Sequence, residues 1–86
     1  MLAFEWGFRT GAIRKVVQAY RRKMFAGDPE TPCGFRASMV VRDCDPPSDE
    51  WHLIAHWFVQ WAKANHGSWF HRKPEGFVAI SDDYED

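Results

Sequence analysis

Apolar and polar side chains alternate in several short stretches of the chain. Large apolar residues occupy the even positions of residues 2–8, and apolar residues occupy the odd positions of residues 35–41. A period of two places successive side chains on opposite faces of a strand, so both stretches are predicted strands. Residues 74–76, Pro-Glu-Gly, fit the turn of a bulged hairpin that pairs the flanking apolar stretches. The first stretch could alternatively extend the helix that follows it.

Two other stretches have the 3.6-residue period of an amphipathic helix. The first helix begins after Thr10 as N-cap and runs to about Ala26, where Gly27 ends it. The second begins after Ser48, has acidic residues in its first turn and runs to about Ala64. The apolar face of the first helix consists of Ile13, Val16, Val17, Tyr20 and Met24.

These elements predict a small α+β fold of the two-layer α/β type. Their order is β-α-β-α-β-β, with a mixed sheet of three or four strands. A right-handed crossover places both helices on one face of that sheet. The prediction assigns residues 1–81 to a single compact domain and residues 82–86 to an acidic C-terminal tail.

Composition restricts the class of protein. With 86 residues, 45% hydrophobic and 27% charged, the chain is long enough for one globular domain and not for two. Its apolar runs are far shorter than the roughly 20 residues that span a bilayer, and its first residues lack the basic charge of a signal peptide. We therefore expect a cytoplasmic protein without membrane contact.

The cysteines and histidines include a superficial Cys2His2 set formed by Cys33, Cys44, His52 and His56. If the cysteines bracket a strand, about 3.3 Å per residue holds their sulfurs roughly 30 Å apart, too far for one zinc ion. Cys44 stands between two aspartates, which disfavour a reactive thiolate. We predict no metal, no cofactor and no catalytic residue, and hence no enzyme.

The second helix has an apolar arc of roughly 200°, whereas about 100° is enough for packing on one side. The surplus consists of Leu53, Trp57 and Ala64, so either this helix is the central core element or part of it faces a partner. We favour the second alternative, with Leu53, Trp57 and Trp61 as the predicted partner-binding residues. The first helix adds a basic outer face, predicted to be exposed to solvent. That face consists of Arg14, Lys15, Gln18, Arg21 and Arg22.

These surfaces favour a small non-enzymatic protein-binding module that occludes the surface of its partner. The expected partner is another protein with an acidic or mixed acidic and apolar surface, and a homodimer is a further option. The small size and the lack of catalytic motifs are typical of inhibitors or adaptors encoded by mobile genetic elements.

The alternative function is nucleic-acid binding. It uses either the basic helix face or a sheet face on which aromatic and basic side chains hold bases. The residues predicted for that sheet face are Arg36, Arg42, Trp69, His71 and Lys73.

Overall fold

A computed structural model describes residues 2–73, and these residues form helices and no strand. The α+β prediction is therefore wrong, and so is the mixed sheet. The five helices are α1 (Leu2–Thr10), α2 (Ala12–Phe25), α3 (Glu30–Asp43), α4 (Trp51–Asn65) and α5 (Gly67–His71).

The two predicted helices are present as α2 and α4. The predicted start of the second is wrong, because α4 begins at Trp51 with Glu50 as N-cap, and its first turn contains no acidic residue. The boundaries of α2 have strong local signals. Gly27 has a φ of 94° and follows the last turn of α2. Its N–H binds the carbonyl of Met24 while the Asp28 N–H binds that of Lys23, the paired bonds of a Schellman motif. At the other end, Gly11 has a φ of 76° and separates α2 from α1. The N-cap is Gly11 and not Thr10, although the Thr10 hydroxyl does accept a hydrogen bond from the Ala12 N–H.

The predicted strand over residues 2–8 is helix α1. Its buried residues are Ala3, Trp6 and Gly7, which follow the i, i+3, i+4 spacing of a helix. Leu2 and Phe8, which the alternation pattern placed on the buried face, are exposed. The buried side of this element therefore combines Trp6 with two small residues, Ala3 and Gly7, that the alternation pattern treated as spacers.

The predicted strand over residues 35–41 lies inside helix α3. Cys33, Ala37 and Val41 recur every four residues and are buried, whereas Phe35 is exposed. Pro29 is the N-cap of this helix, and Pro32 lies in its first turn, where the missing N–H has no intrahelical acceptor to lose. Residues 30–34, which precede the predicted strand, are therefore the first residues of a helix.

The predicted hairpin is also wrong in its first half. Residues 67–71 form α5, and Phe70 in that helix is fully buried. The predicted turn at 74–76, the second hairpin strand and the tail at 82–86 lie outside the described residues.

The core lies where α2, α3 and α4 pack against one another, with α1 on α2 and α5 on α4. One connected hydrophobic cluster joins these helices. The α1 helix also contacts α4 through Phe58, whose ring centroid lies 5.4 Å from that of Phe4 and 6.1 Å from that of Trp6. Within residues 2–73, no helix is long and apolar enough to cross a membrane.

Candidate binding site in an aromatic cavity

A cavity of about 470 Å³ opens between α1, α2, α4 and α5. Its walls combine aromatic and aliphatic side chains with a single charged group, Arg14. The lining residues that matter below are Phe8, Ile13, Arg14, Trp61, His66 and Trp69. The volume lies within the range of about 300–1,000 Å³ that is typical of ligand pockets.

The α1 and α4 walls of this cavity are held together by ring contacts. The rings of Phe8 and Trp61 meet edge to face with centroids 5.2 Å apart, and Trp61 makes a similar contact with His66, also at 5.2 Å. Phe8 nevertheless remains 56% exposed. One part of the Phe8 ring therefore packs against Trp61, and the rest is exposed and accessible to other molecules.

The predicted α4 surface is continuous with this cavity. Leu53, Trp57 and Trp61 are four residues apart along one helix, so they lie on neighbouring turns of one side. Leu53 is 38% exposed, while Trp57 and Trp61 are half-buried and pack against the core. The structure brings Trp61 into the cavity, and we call these three residues the α4 ridge.

The predicted basic face of α2 is only partly a surface. Arg14 and Lys15 are exposed and Arg22 is half-buried. Gln18 and Arg21, by contrast, are buried, so their predicted exposure to solvent is wrong. The exposed part of the predicted basic face is therefore Arg14 and Lys15, with the half-buried Arg22 at its margin.

Arg21 is buried because its guanidinium group reaches the C-terminal end of α5. Its Nε donates to the carbonyl of Phe70 at 3.1 Å, and a terminal nitrogen donates to those of Trp69 at 3.0 Å and Arg72 at 2.8 Å. The guanidinium carbon also lies 4.0 Å from the ring centroid of Trp69. The carbonyls at the end of a helix are left without i+4 donors, and here only that of Trp69 also accepts a backbone hydrogen bond, from the Arg72 N–H at 3.3 Å, among the described contacts. The arginine therefore supplies donors to this end of α5 and complements the helix dipole.

The residues predicted for nucleic-acid binding do not form a platform. Arg36 and Arg42 are exposed on α3, but they are six positions apart, which at about 100° per residue turns them to different sides of the helix. Arg42 pairs with Asp43 at 3.2 Å. Trp69 and His71 belong to α5, and Lys73 follows it. The predicted stacking face required a sheet, and the described residues contain none.

A second, smaller groove of about 230 Å³ lies between α3 and α4 and is more polar. Its Ser38 hydroxyl lies 2.9 Å from the Gly34 carbonyl and 2.7 Å from Nδ1 of His52. Since a hydroxyl carries one proton, donation to the Gly34 carbonyl requires His52 to carry its proton on Nδ1. His56 lines the same groove. Within the described chain, no three His, Cys, Asp or Glu side chains are arranged to hold a metal ion.

The cysteines are separated by a helix and not by a strand, which corrects the distance argument. Eleven helical residues span about 16 Å, still too far for a shared zinc ion. The thiol of Cys33 is buried, and burial together with the Asp28 carboxylate raises its pKa. A raised pKa disfavours the thiolate that a nucleophile requires.

Three important residues were missed by the sequence analysis. Phe8 and His66 line the aromatic cavity, and Ser38 anchors the polar groove. The alternation pattern places Phe8 on the apolar face of a strand, and His66 lies just beyond the predicted end of the second helix at about Ala64. The available signal was the helical spacing of Ala3, Trp6 and Gly7, which places Phe8 on the opposite side of α1.

Comparison with known proteins does not assign the chain to a family. No family model matches it, and neither a curated protein nor a solved structure matches it significantly.

Proposed function

We propose that the chain is a protein-binding module whose aromatic cavity receives an apolar side chain of a partner. The observation that carries the proposal is the open cavity of about 470 Å³ with Phe8, Trp61 and Trp69 in its walls. Interfaces are anchored by aromatic residues in pockets, and truncating such an anchor typically costs about 2 kcal/mol or more of binding free energy.

The charged residues at the cavity indicate which residues should flank the apolar side chain of the partner. Among the described residues that line the cavity, Arg14 is charged and none is acidic. Lys15 is exposed beside Arg14 on α2. A partner segment with a carboxylate next to its apolar residue therefore complements the rim, whereas a basic segment is disfavoured.

The proposal contains no catalytic step. The residues with nucleophilic side chains in the interior are poorly suited to attack, since Ser38 is 1% exposed with its hydroxyl bound to Gly34, and Cys33 has a raised pKa. A role as a cytoplasmic inhibitor or adaptor of a mobile genetic element, acting by occlusion, remains part of the same proposal and rests on the small size of the domain.

A peptide-display selection tests the proposed binding mode. Peptides are selected on the wild-type protein and then measured on two variants, Trp61→Ala and the control Trp51→Ala, which removes a half-buried tryptophan of the same helix outside the cavity. We expect peptides with an aromatic or branched apolar residue beside an acid. Their affinity should fall about 30-fold in Trp61→Ala, equivalent to about 2 kcal/mol, and remain close to wild type in Trp51→Ala. Equal binding to both variants would contradict the cavity as the site.

A further inference from the structure

We infer that Arg21 is a positioning residue that sets the orientation of Trp69 in the wall of the aromatic cavity. The consequence for ligand binding rests on the proposed function, whereas the consequence for Trp69 itself does not. Arg21 lies on α2 and Trp69 on α5, 48 residues apart in sequence. The inference therefore links two elements that meet only in the folded protein.

The α5 helix is too short to hold its own conformation. It has five residues, and helices shorter than about 12 residues are marginal in isolation. The side chain of Arg21 stabilises the C-terminal end of α5 by three hydrogen bonds. It donates to the carbonyls of Trp69, Phe70 and Arg72 at 2.8–3.1 Å. The buried guanidinium group thus defines where the end of α5 lies relative to α2.

The same group also acts on the Trp69 ring. The guanidinium carbon lies over the ring, 4.0 Å from its centroid, in a cation–π contact, while the backbone carbonyl of Trp69 accepts a hydrogen bond from the same group. Trp69 lines the cavity together with Val17, which lies one turn before Arg21 on α2. Fixing the ring and the carbonyl at once leaves the cavity wall in one orientation.

Only arginine supplies this combination of contacts. Its planar fork can donate to several carbonyls and stack at the same time, whereas the ammonium group of lysine is a point charge without a planar face. Arg21→Lys therefore retains the positive charge and removes the stacking and part of the hydrogen bonding. The matched control is Arg9→Lys, because Arg9 is exposed in the last turn of α1 and does not line the cavity.

Fluorine NMR of protein labelled with 5-fluorotryptophan provides the test. The chain has five tryptophans, so Trp69→Phe assigns the Trp69 resonance by its disappearance. We expect Arg21→Lys to shift or broaden the Trp69 resonance and to leave that of Trp51 in place, with Arg9→Lys unchanged throughout. A Trp69 resonance identical in wild type and a folded Arg21→Lys protein would overturn the inference, because a merely stabilising residue would lower the unfolding midpoint without moving Trp69.

A measurement on the wild-type protein decides the question if Arg21→Lys does not fold. The Nε–H of Arg21 should exchange with solvent much more slowly than that of Arg9 and should show a ring-current shift that Trp69→Phe alters. Rapid exchange and an unshifted Arg21 signal would overturn the inference.

Binding is measured with 1-naphthaleneacetate, which combines an apolar ring with a carboxylate. We expect its affinity for the cavity to fall about tenfold in Arg21→Lys and to be unaffected by Arg9→Lys. Unchanged affinity in Arg21→Lys would overturn the effect of Arg21 on binding. If wild type does not bind the probe, the proposed function fails for this ligand chemistry, while the Trp69 resonance still decides whether Arg21 positions the ring.

Discussion

The thiol of Cys33 is buried in α3, with its sulfur 3.6 Å from the backbone oxygen of Asp28. Burial first, and then the negative charge of Asp28, raise its pKa above the ordinary 9.0. The pKa of Tyr20 is raised as well, by burial and by the nearby Cys33 and Glu30. The neutral thiol of Cys33 and the neutral phenol of Tyr20 therefore lie close together in the core. Their contribution to the stability of the fold depends on pH.

We expect the free energy of unfolding to fall as the pH rises above about 9, and Cys33→Ala to make that fall less steep. A group whose pKa is raised in the folded state stabilises the fold fully below its ordinary pKa, and this contribution is lost as the pH rises through the folded value. Urea unfolding between about pH 8 and pH 10 measures the slope, with Cys44→Ala as control. Identical slopes for wild type and Cys33→Ala would show that the buried thiol does not resist ionisation.

Arg21 illustrates what a helical wheel leaves out. The wheel assigns a side chain to water from its polarity, but a guanidinium group can be buried where carbonyl groups converge. Those carbonyls belong to Trp69, Phe70 and Arg72, about 50 residues away in sequence. No local pattern around residue 21 contains that information, so its burial could not be predicted from the sequence.

Among the helices, α2 and α4 were predictable and α1 and α3 were not. Both α2 and α4 have long windows with a helical period, and α2 also has the positive-φ glycines Gly11 and Gly27 at its ends. In α1 and α3, large apolar residues lie on several sides, and the closest packing is made by small residues such as Ala3, Gly7 and Ala37. A sequence pattern based on large side chains shows alternation in these segments. It gives no weight to the small residues at which neighbouring helices approach each other.

Gly7 provides a test of that close approach. A Cβ atom at this position would lie 2.5 Å from Cγ1 of Ile13 and 2.7 Å from Cζ of Phe58. Alanine is the better helix former by about 1 kcal/mol, but the overpacking should outweigh this and leave Gly7→Ala less stable by about 1–3 kcal/mol.

The matched control is Gly34→Ala in α3, where a Cβ atom would have no neighbour within 4 Å. Without a clash, helix propensity alone should make that variant more stable by about 0.5–1 kcal/mol. Urea unfolding midpoints of both variants give the comparison. Stabilisation of the same size at both positions would contradict the close packing of α1 against α2 and α4.

In the molecule as a whole, the candidate site depends on contacts between elements distant in sequence. Of the residues predicted to bind a partner, Trp61 on α4 is half-buried and Arg14 on α2 is exposed, and both line the cavity. The cavity itself also needs Phe8 from α1 and Trp69 from α5, which had been assigned to strands. A pocket formed by four helices cannot be predicted when two of those helices are not recognised.

The charge on the cavity rim is tested by the double reversal Arg14→Glu with Lys15→Glu. Both residues are exposed, so the fold should be retained. Binding of the selected acidic peptides should weaken by about tenfold or more at low salt, and its salt dependence should flatten. Fluorescence titration from low to high ionic strength measures both effects.

The control for this reversal is Arg36→Glu with Arg42→Glu, which changes the net charge equally on an exposed part of α3 away from the cavity. Peptide affinity should change little in that protein. An equal loss in both doubles would assign the effect to net charge. Loss of single-stranded oligonucleotide binding confined to the α3 double would favour the nucleic-acid alternative.

The α4 ridge is tested by comparing Trp57→Ala with Phe58→Ala, neighbouring residues on different sides of one helix. Phe58 is fully buried between α1 and α4, so its truncation should lower the free energy of unfolding by about 3–5 kcal/mol. Trp57 is half-buried, and its loss opens a notch in the surface and not a closed cavity. We expect that change to lower the free energy of unfolding by only about 1–3 kcal/mol.

If the ridge is an interface, Trp57→Ala should also weaken binding, either of the selected peptides or of a second copy of the chain. The expected loss is about 2 kcal/mol of binding free energy. Denaturant midpoints and sedimentation velocity of the two variants provide the measurements. The decisive pattern is a modest loss of stability combined with a large loss of association in Trp57→Ala. The interface would be contradicted if the midpoint of Trp57→Ala were as low as that of Phe58→Ala while peptide binding and sedimentation were unchanged. Trp57 would then be a core residue, because the whole apolar arc of α4 would serve packing within the molecule.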